Sequence, residues 1–244
     1  MRGFTGVFTR ELLIIKKRLL KMLISFSVTP LLYLIAFGWG LGQKMTVEGV
    51  PYITFLIPGL IAMGSMTRSF AISSEINIAR FYWRIFEEFQ GAPVSDLAIA
   101  FGEVLGGILR GFLATVIICL FALFFHVQIH VTGWFLLAVL GNAFTFSSLA
   151  LITSMIVRSH ADQSMLNNFV ITPMAFLCGT VFSLKALPGW AHALIGWLPL
   201  SPATRAIRAT ALGHPMPWDA MLTVICFGIA FFVLGTYTIR SAKA

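Results

Sequence analysis

Four charged residues interrupt otherwise apolar stretches of this chain. Arg68 and Glu75 lie seven residues apart in one stretch, and Glu103 and Arg110 lie seven apart in the next. Seven residues make about two helical turns, so the members of each pair share a helix face. An arginine at the centre of a bilayer costs roughly 2.5–3.5 kcal/mol on insertion scales, so a deep one needs a partner or a role. We predict an intramembrane charge clamp in which Arg68 meets Glu103 or Arg110 meets Glu75.

A simpler alternative to the clamp stays open at this stage. Both arginines could extend their side chains toward the nearer headgroups, because long cationic side chains keep their charge in water. The spacing of small residues favours close helix contact: Gly102 with Gly106, and Gly107 with Gly111, form two overlapping G-x-x-x-G patterns. Such patterns are common in membrane helices, so they support the clamp only weakly.

Other reactive residue types do not form a catalytic pattern. His126 and His130 are four residues apart and could share a helix face, but no acid or cysteine is adjacent, and a metal site needs three or four ligands. Cys119, Cys178 and Cys226 fall within apolar stretches and are expected to be buried. We therefore predict no metal site, no catalytic residue and no cofactor in this chain.

The composition is that of an integral membrane protein. Hydrophobic residues make up 58% of the 244 residues and charged residues only 11%, against about 25% charged in soluble domains. No nucleotide-binding G-x-x-x-x-G-K-[ST] loop is present, so any use of ATP requires another chain. We interpret the net charge of +8 as the excess of lysine and arginine that orients a membrane protein in the lipid bilayer. No nucleic-acid partner is therefore predicted.

Hydrophobic length predicts an all-α membrane domain that covers residues 1–244. Six transmembrane helices are expected, at about 22–41, 52–74, 98–125, 134–157, 163–182 and 220–239. Residues 4–21 form an amphipathic pattern with basic residues beside an apolar face, so we predict an interfacial helix before span one. A simple extension of span one into the cytoplasm is the alternative.

Residues 186–217 predict a re-entrant helical hairpin between spans five and six. Its apolar pieces, about 190–198 and 203–212, are too short to cross a bilayer, which takes about 20 apolar residues. Irregular backbone at membrane depth is tolerated only inside protein or beside a wet cavity. We predict that this hairpin acts as a gate, with its prolines and tryptophans as the site residues: Pro188, Trp190, Trp197, Pro199 and Pro202.

The distribution of lysine and arginine predicts the topology. With a cytoplasmic N-terminus, the inner segments hold eleven basic residues and the outer segments four. This bias places both termini in the cytoplasm and the hairpin outside. Counting the hairpin as a seventh span would place Arg240 and Lys243 outside, so the count favours the re-entrant assignment.

Segment 80–95 is predicted to bind a cytoplasmic partner. Phe81, Ile85, Phe86 and Phe89 give a helix-like apolar face, and Gly91 and Pro93 end the helix. A short amphipathic helix of this kind can lie on lipid or fill a groove on another protein. Its two acids, at 87 and 88, disfavour an anionic membrane surface, so the protein partner is preferred.

Three stretches resemble a known family. The sequence EEFQGAPVS followed by GEVLGG, the sequence PYITFLIPGLIAM, and the tail FVITPMAFLCGTVFSLKALP…LPLSPATRAIRATALGHP are similar to ABC-2 type exporter permeases. The tail looks most like permeases that export nodulation factors (lipo-oligosaccharides), drugs or polysaccharides. The resemblance covers nearly the whole chain in the family's order.

The resemblance implies a half-transporter in the bacterial inner membrane. It would dimerise with a second permease subunit, a homodimer being the expectation, and bind two copies of a separate ATPase that holds ATP and Mg²⁺. The segment that would seat in the ATPase is carried over from the family's coupling helix, with these contact residues: Arg84, Glu87, Glu88, Phe89, Gln90 and Pro93. Spans one, two and five would lie near the transport path.

The function predicted is outward transport of an amphiphilic, glycolipid, polysaccharide or drug-like substrate. A secondary transporter is the main alternative, but such proteins usually show broken helices in both halves, and only the C-terminal half has an obvious break here. A membrane-embedded enzyme is less favoured, because no nucleophile–base arrangement is visible.

Overall fold

The fold is a bundle of long helices, seen in a computed structural model that describes residues 2–41, 45–82 and 95–243. A short β-hairpin pairs two antiparallel strands of two residues each, β1 (Thr46–Val47) and β2 (Val50–Pro51). The helices are α1 (Arg2–Tyr33, continued by a π-helix at Leu34–Leu41), α2 (Tyr52–Phe70), α3 (Ile72–Phe81), α4 (Asp96–Phe124), α5 (Gly133–Ile156), α6 (His160–Leu166, continued by a π-helix at Asn167–Ile171), α7 (Thr172–Leu177), α8 (Gly189–Gly196), α9 (Leu200–Ala211) and α10 (Trp218–Lys243).

Within the described residues, five helical stretches are long and apolar enough to cross a membrane: Phe8–Gly38, Tyr52–Phe81, Asp96–Phe124, Gly133–Ile156 and Trp218–Arg240. They match predicted spans one, two, three, four and six. The helix at predicted span five, from α6 to α7, is not among them. Its first half carries Gln163, Asn167 and Asn168, which lower its hydropathy below that of a lipid-facing helix.

The separate interfacial helix predicted over 4–21 is wrong. Helix α1 runs without a break from Arg2 to Tyr33, so the amphipathic segment continues span one. Residues 17–25 contain no glycine or proline, and nothing there ends a helix. The proline in α1, Pro30, lies four residues before the π-helix at Leu34–Leu41.

Hydroxyl side chains fix where three helices begin. Ser95 accepts a hydrogen bond from the backbone N–H of Ala98 at the start of α4. Thr132 does the same for α5 and Ser159 for α6, so these starts follow the usual N-cap chemistry.

Helix α2 lies at the centre of the bundle and the outer helices are sparsely covered. In the span formed by α2 and α3, 78% of the most apolar window is buried, against 22% in the spans of α1 and α10. The core is built mainly by α2, α4, α5 and α9. The faces of α1 and α10 are therefore left for lipid or another subunit.

The helix directions define two ends of the bundle. Trp134 at the start of α5 packs edge-on against Trp218 at the start of α10, with ring centroids 5.2 Å apart, so these helices run parallel. We name the end that carries β1–β2, α8 and α9 the hairpin end. We name the opposite end, where α3 ends and α4 begins, the coupling end. Both α1 and α10 have their chain-terminal ends there.

Candidate functional site

A buried charge cluster joins three helices in the half of the bundle nearer the coupling end. Arg110 Nη2 lies 2.9 Å from Glu11 Oε2 and 2.7 Å from Glu75 Oε2. Arg110 is at the midpoint of the 29-residue α4, while Glu11 belongs to α1 and Glu75 to α3. One guanidinium therefore ties α1, α3 and α4 together.

A second arginine extends the cluster along α1. Arg10 Nη2 lies 2.9 Å from Glu11 Oε1 and 3.2 Å from Glu103 Oε1. Glu11 thus bridges the two arginines, one through each carboxylate oxygen. We call these five residues the charge cluster: Arg10, Glu11, Glu75, Glu103 and Arg110.

The centre of the charge cluster is enclosed, whereas Arg10 and Glu75 at its edge are partly exposed, and part of its hydrogen-bonding capacity is unused. The side chains of Glu11 and Arg110 are 1% and 2% exposed. Among the described residues, Glu103 Oε2 and the Nε and Nη1 atoms of Arg110 have no hydrogen-bond partner. Buried ion pairs are costly to break, because removing one partner leaves an uncompensated charge. The cluster should therefore act as a stiff link between its helices.

Glycines on α4 allow the charge cluster to form. A Cβ at Gly106 would lie 2.9 Å from Glu11 Cγ, which is too close, so a larger residue would push α1 away. A Cβ at Gly107 would overlap the Ser147 hydroxyl of α5, and one at Gly111 would overlap the Ser69 hydroxyl of α2. The predicted small-residue spacing is thus used on three sides of α4.

The four residues of the predicted clamp are only partly brought together. Arg110 and Glu75 are in contact. Arg68 instead donates to the carbonyl of Ser25 at 3.0 Å and lies over the ring of Phe26, 4.3 Å from its centroid. Glu103 is paired with Arg10, so Arg68 and Glu103 are not the pair that the sequence suggested.

Sequence reasoning missed the contribution of α1. Arg10 and Glu11 lie in the segment 4–21 that was predicted to be interfacial, yet they take part in three of the four ion pairs that define the charge cluster. One signal was available, because Glu11 is the sole acid in the first 47 residues, among many basic neighbours. A lone acid in such a segment indicates a specific partner.

The predicted ATPase contacts Arg84, Glu87, Glu88, Phe89, Gln90 and Pro93 lie outside the described residues. Their flanks are described: α3 ends at Phe81 and α4 begins at Asp96. Glu75 lies about two helical turns before the end of α3, and Glu103 lies about two turns after the start of α4. The charge cluster therefore contacts both helices that lead into this segment.

The predicted gate residues lie at the hairpin end. Pro188 precedes α8, and Pro199 and Pro202 are at the buried start of α9. Trp190 and Trp197 are 75% and 80% exposed. The hairpin thus has a packed side formed by α9 and an open side formed by α8.

A cavity of about 520 Å³ lies between α9, the turn after α7 and the β1–β2 hairpin. Arg208 projects from α9 and donates to the carbonyl of Gly179 at 2.7 Å, and its guanidinium lies 3.7 Å from the centroid of the Phe55 ring. Burial lowers the pKa of Arg208 to about 10, and the Glu48 carboxylate partly opposes this.

Five apolar helical spans around a buried polar link define a multi-pass membrane protein. Residues 3–212 match the ABC-2 type transporter family, and the chain belongs to that family. It is 31% identical over 212 residues to the inner membrane transport permease YadH of Escherichia coli K12, covering 85% of this chain and 82% of that protein. It is 30% identical over 243 residues to nodulation protein J of Rhizobium meliloti strain 1021, and the match covers 98% of this chain and 93% of that protein.

A second nodulation protein J, from Rhizobium leguminosarum bv. viciae, is 29% identical over 252 residues and covers 98% of this chain and 94% of its own. The resemblance noted from the sequence is therefore confirmed at family level. The chain is a membrane transport permease of the inner membrane.

Proposed function

We propose that this chain is the membrane-spanning subunit of an exporter whose two ATPase subunits bind segment 84–95. Motion of that segment would reach the transport path through the charge cluster. The observation that carries this mechanism is the pair of contacts from Arg110 to Glu11 and to Glu75. They join α1 to both helices that lead into the segment.

An ion pair held inside the bundle resists separation of the helices that it joins more than an apolar contact at a lipid-facing surface does. Displacing α3 relative to α4 would separate Glu75 from Arg110 and leave the buried guanidinium with Glu11 as its remaining carboxylate among the described residues, which is costly. The helices should therefore move together, and α1 should follow through Glu11. Because α1 is sparsely covered, it is free to shift against lipid or a second subunit.

The helix from α6 to α7 is proposed as the sixth crossing and as part of the path. It runs beside α2 and α3 from Gln163, whose side chain donates to Ser73, to Thr180, whose backbone carbonyl lies against Gly59. From His160 to Leu177 a helix rises roughly 25 Å, which is close to the thickness of a bilayer core.

The exposed side of this helix favours an amphiphilic cargo. Ser164, Asn168 and Thr172 recur every four residues and are exposed, as are the apolar Phe169 and Phe176. Polar groups at membrane depth normally face a cavity or another protein chain. A surface with both polar and apolar groups suits a glycolipid or a drug-like amphiphile better than an ion.

We propose a homodimer with both chain termini in the cytoplasm and the hairpin end outside. The sparse burial of α1 and α10 leaves apolar faces for a second copy, and the excess of basic residues in the inner segments supports the orientation. Cysteines placed at Leu187 and Ala193, in a chain whose native cysteines are replaced by alanine, should react only with a reagent added from outside. Labelling from the cytoplasm would overturn the orientation.

The docking role of segment 84–95 is tested by charge reversal. Glu87→Lys with Glu88→Lys should reduce the amount of ATPase that co-purifies with the permease by about tenfold or more, because repulsion at a docking site costs over 1.4 kcal/mol. Retention of ATPase is measured on detergent-solubilised complexes, and export is measured in the same cells.

A matched control is Asp219→Lys, which reverses an exposed acid at the opposite end of the bundle. It should leave ATPase retention unchanged. Melting temperatures of all variants should match that of the wild type. Undiminished ATPase retention in the Glu87/Glu88 variant would refute the docking role.

A further inference from the structure

The wall of the cavity at the hairpin end carries one cation, Arg208, whose hydrogen-bond partners among the described residues are all backbone carbonyls. Lys185 Nζ lies 4.0 Å from Glu48 Oε2, and Arg205 pairs with Asp219, so these cations on the cavity wall have counter-charges. Arg208, on the same wall, has no acid within ion-pair distance among the described residues. Its Nε and Nη2 atoms donate to the carbonyls of Phe55, Gly179 and Thr180.

A second donor residue, Thr204, lies beside Arg208. Thr204 is one helical turn earlier on α9, so both side chains share a helix face, and both line the cavity. The Thr204 hydroxyl is buried and has no hydrogen-bond partner among the described residues. Buried hydroxyls are normally bonded, so this hydroxyl, on a residue of the cavity wall, is available as a donor once the side chain turns toward the cavity.

We infer that this cavity binds an anionic group, a phosphate, sulfate or carboxylate, with Arg208 and Thr204 as its inner donors and Lys185 at its mouth. A cavity of about 520 Å³ is far larger than one such group, so it also holds part of the molecule that carries the group. The inference rests on the proposed function, because it gives a departing cargo, or an outer-leaflet lipid, a binding site beside the hairpin.

Guanidinium and hydroxyl donors suit this ligand. Hydrogen bonds between a charged donor and a charged acceptor are about twice as strong as neutral ones. The carbonyls that accept from Arg208 hold the guanidinium in place without neutralising its positive charge. The Phe55 ring covers one side of the guanidinium, so an anion would approach from the cavity.

Binding is measured as the rise in melting temperature of the purified chain in a non-ionic detergent, since a ligand of the native state stabilises it by mass action. The probes are sodium sulfate against sodium chloride at equal ionic strength, and dioleoylphosphatidylglycerol against dioleoylphosphatidylcholine. We expect at least one anionic probe, sulfate or phosphatidylglycerol, to raise the melting temperature. Its matched control, chloride or phosphatidylcholine, should not do so. A rise with sulfate that Arg208→Gln abolishes indicates a soluble anionic group, because sulfate also stabilises folded proteins without binding a site. A rise with the anionic lipid that Arg208→Gln abolishes indicates a lipid headgroup.

The variants are Arg208→Gln, Thr204→Val and Lys185→Gln, with Arg240→Gln at the coupling end as control. Arg208→Gln should weaken the apparent affinity by about tenfold or more, and Thr204→Val by a smaller factor. The wild-type hydroxyl of Thr204 makes no hydrogen bond among the described residues, so Thr204→Val should fold and tests the site even if Arg208→Gln fails to fold.

Equal responses of the wild type, Thr204→Val and Lys185→Gln to every probe would overturn the site, and so would a wild type that responds to neither anionic probe. Because the purified chain is used without an ATPase, these outcomes leave the exporter assignment untouched. Failure of the Glu87/Glu88 experiment would leave the anion site untouched in turn.

Discussion

Two enclosed arginines, one at the charge cluster and one at the hairpin-end cavity, are stabilised in different ways. Arg110 is surrounded by carboxylates from two other helices. Arg208 is held by backbone carbonyls and an aromatic ring, with no carboxylate at ion-pair distance among the described residues. The first arrangement neutralises the charge, and the second only orients it.

This difference suits the two regions to different functions. A neutralised arginine attracts no further ligand, but it resists separation of the helices that it joins. An arginine held only by dipoles keeps its field, so it can recruit an anion while its position stays fixed. The coupling end is therefore suited to transmit motion, and the hairpin end is suited to recognise a molecule.

The largest effect is expected when Arg110 is removed. Arg110→Gln leaves the buried Glu11 with Arg10 alone and takes from the partly exposed Glu75 the arginine that it contacts, so the loss should be about 3 kcal/mol, the lower end of the range for breaking a buried pair. The loss is measured as a fall in unfolding free energy in mixed micelles of non-ionic detergent and dodecyl sulfate.

Arg68→Gln is the matched control for that change. Arg68 bonds a neutral carbonyl and lies over an aromatic ring, so its loss should cost only about 1 kcal/mol. A double variant, Arg110→Gln with Glu75→Gln, should lose less than the sum of the two single variants, by about 0.5–3 kcal/mol. Strictly additive losses would show that the pair does not link α3 to α4.

A smaller steric effect is expected where α2 meets the turn after α7. A Cβ at Gly59 would overlap the Thr180 carbonyl, which Arg208 also contacts. Gly59→Ala should therefore cost about 1–3 kcal/mol and weaken anion binding. Gly133→Ala, at a position with nothing near the added carbon, should stay within about 0.5 kcal/mol of the wild type. Equal melting temperatures for the two variants would contradict the close contact.

Arg208→Gln should destabilise the chain less than Arg110→Gln does. The groups left behind are neutral carbonyls, and an unsatisfied one costs about 1–3 kcal/mol. Arg208→Lys keeps the charge but loses the planar fork, so it should restore part of the anion binding and little of the stability. If both substitutions cost as much as Arg110→Gln, the contrast between neutralised and oriented arginines would fail.

The spans were predictable because they depend on local hydrophobic length. The first four predicted spans and the last one appear as apolar helices. The seven-residue spacing on α4 identified Arg110 as a residue in need of a partner. Helix α1 was divided wrongly because amphipathicity does not distinguish a helix on the membrane surface from one that packs a polar face against another helix.

The long-range contacts were not predictable. Glu11 and Arg110 are separated by 99 positions, and nothing local indicates which acid an arginine will meet. The cavity beside Arg208 also depends on how α9 packs against the turn after α7 and on Phe55 of α2. Proline and hydrophobicity marked the hairpin as unusual, but only the packing reveals that the Thr204 hydroxyl has no hydrogen-bond partner in the part of the chain that the structure describes.

The smallest effect is expected at the ion pair between Arg205 and Asp219. Both side chains are more than half exposed, so water and salt screen their attraction. Arg205→Gln should change the unfolding free energy by about 0–1 kcal/mol, and added salt should abolish the difference. Because Arg205 is on the wall of the same cavity as Arg208, its variant separates two sources of positive charge. If Arg205→Gln weakened anion binding as much as Arg208→Gln, the site would depend on the exposed pair, and the oriented arginine would not be its main ligand.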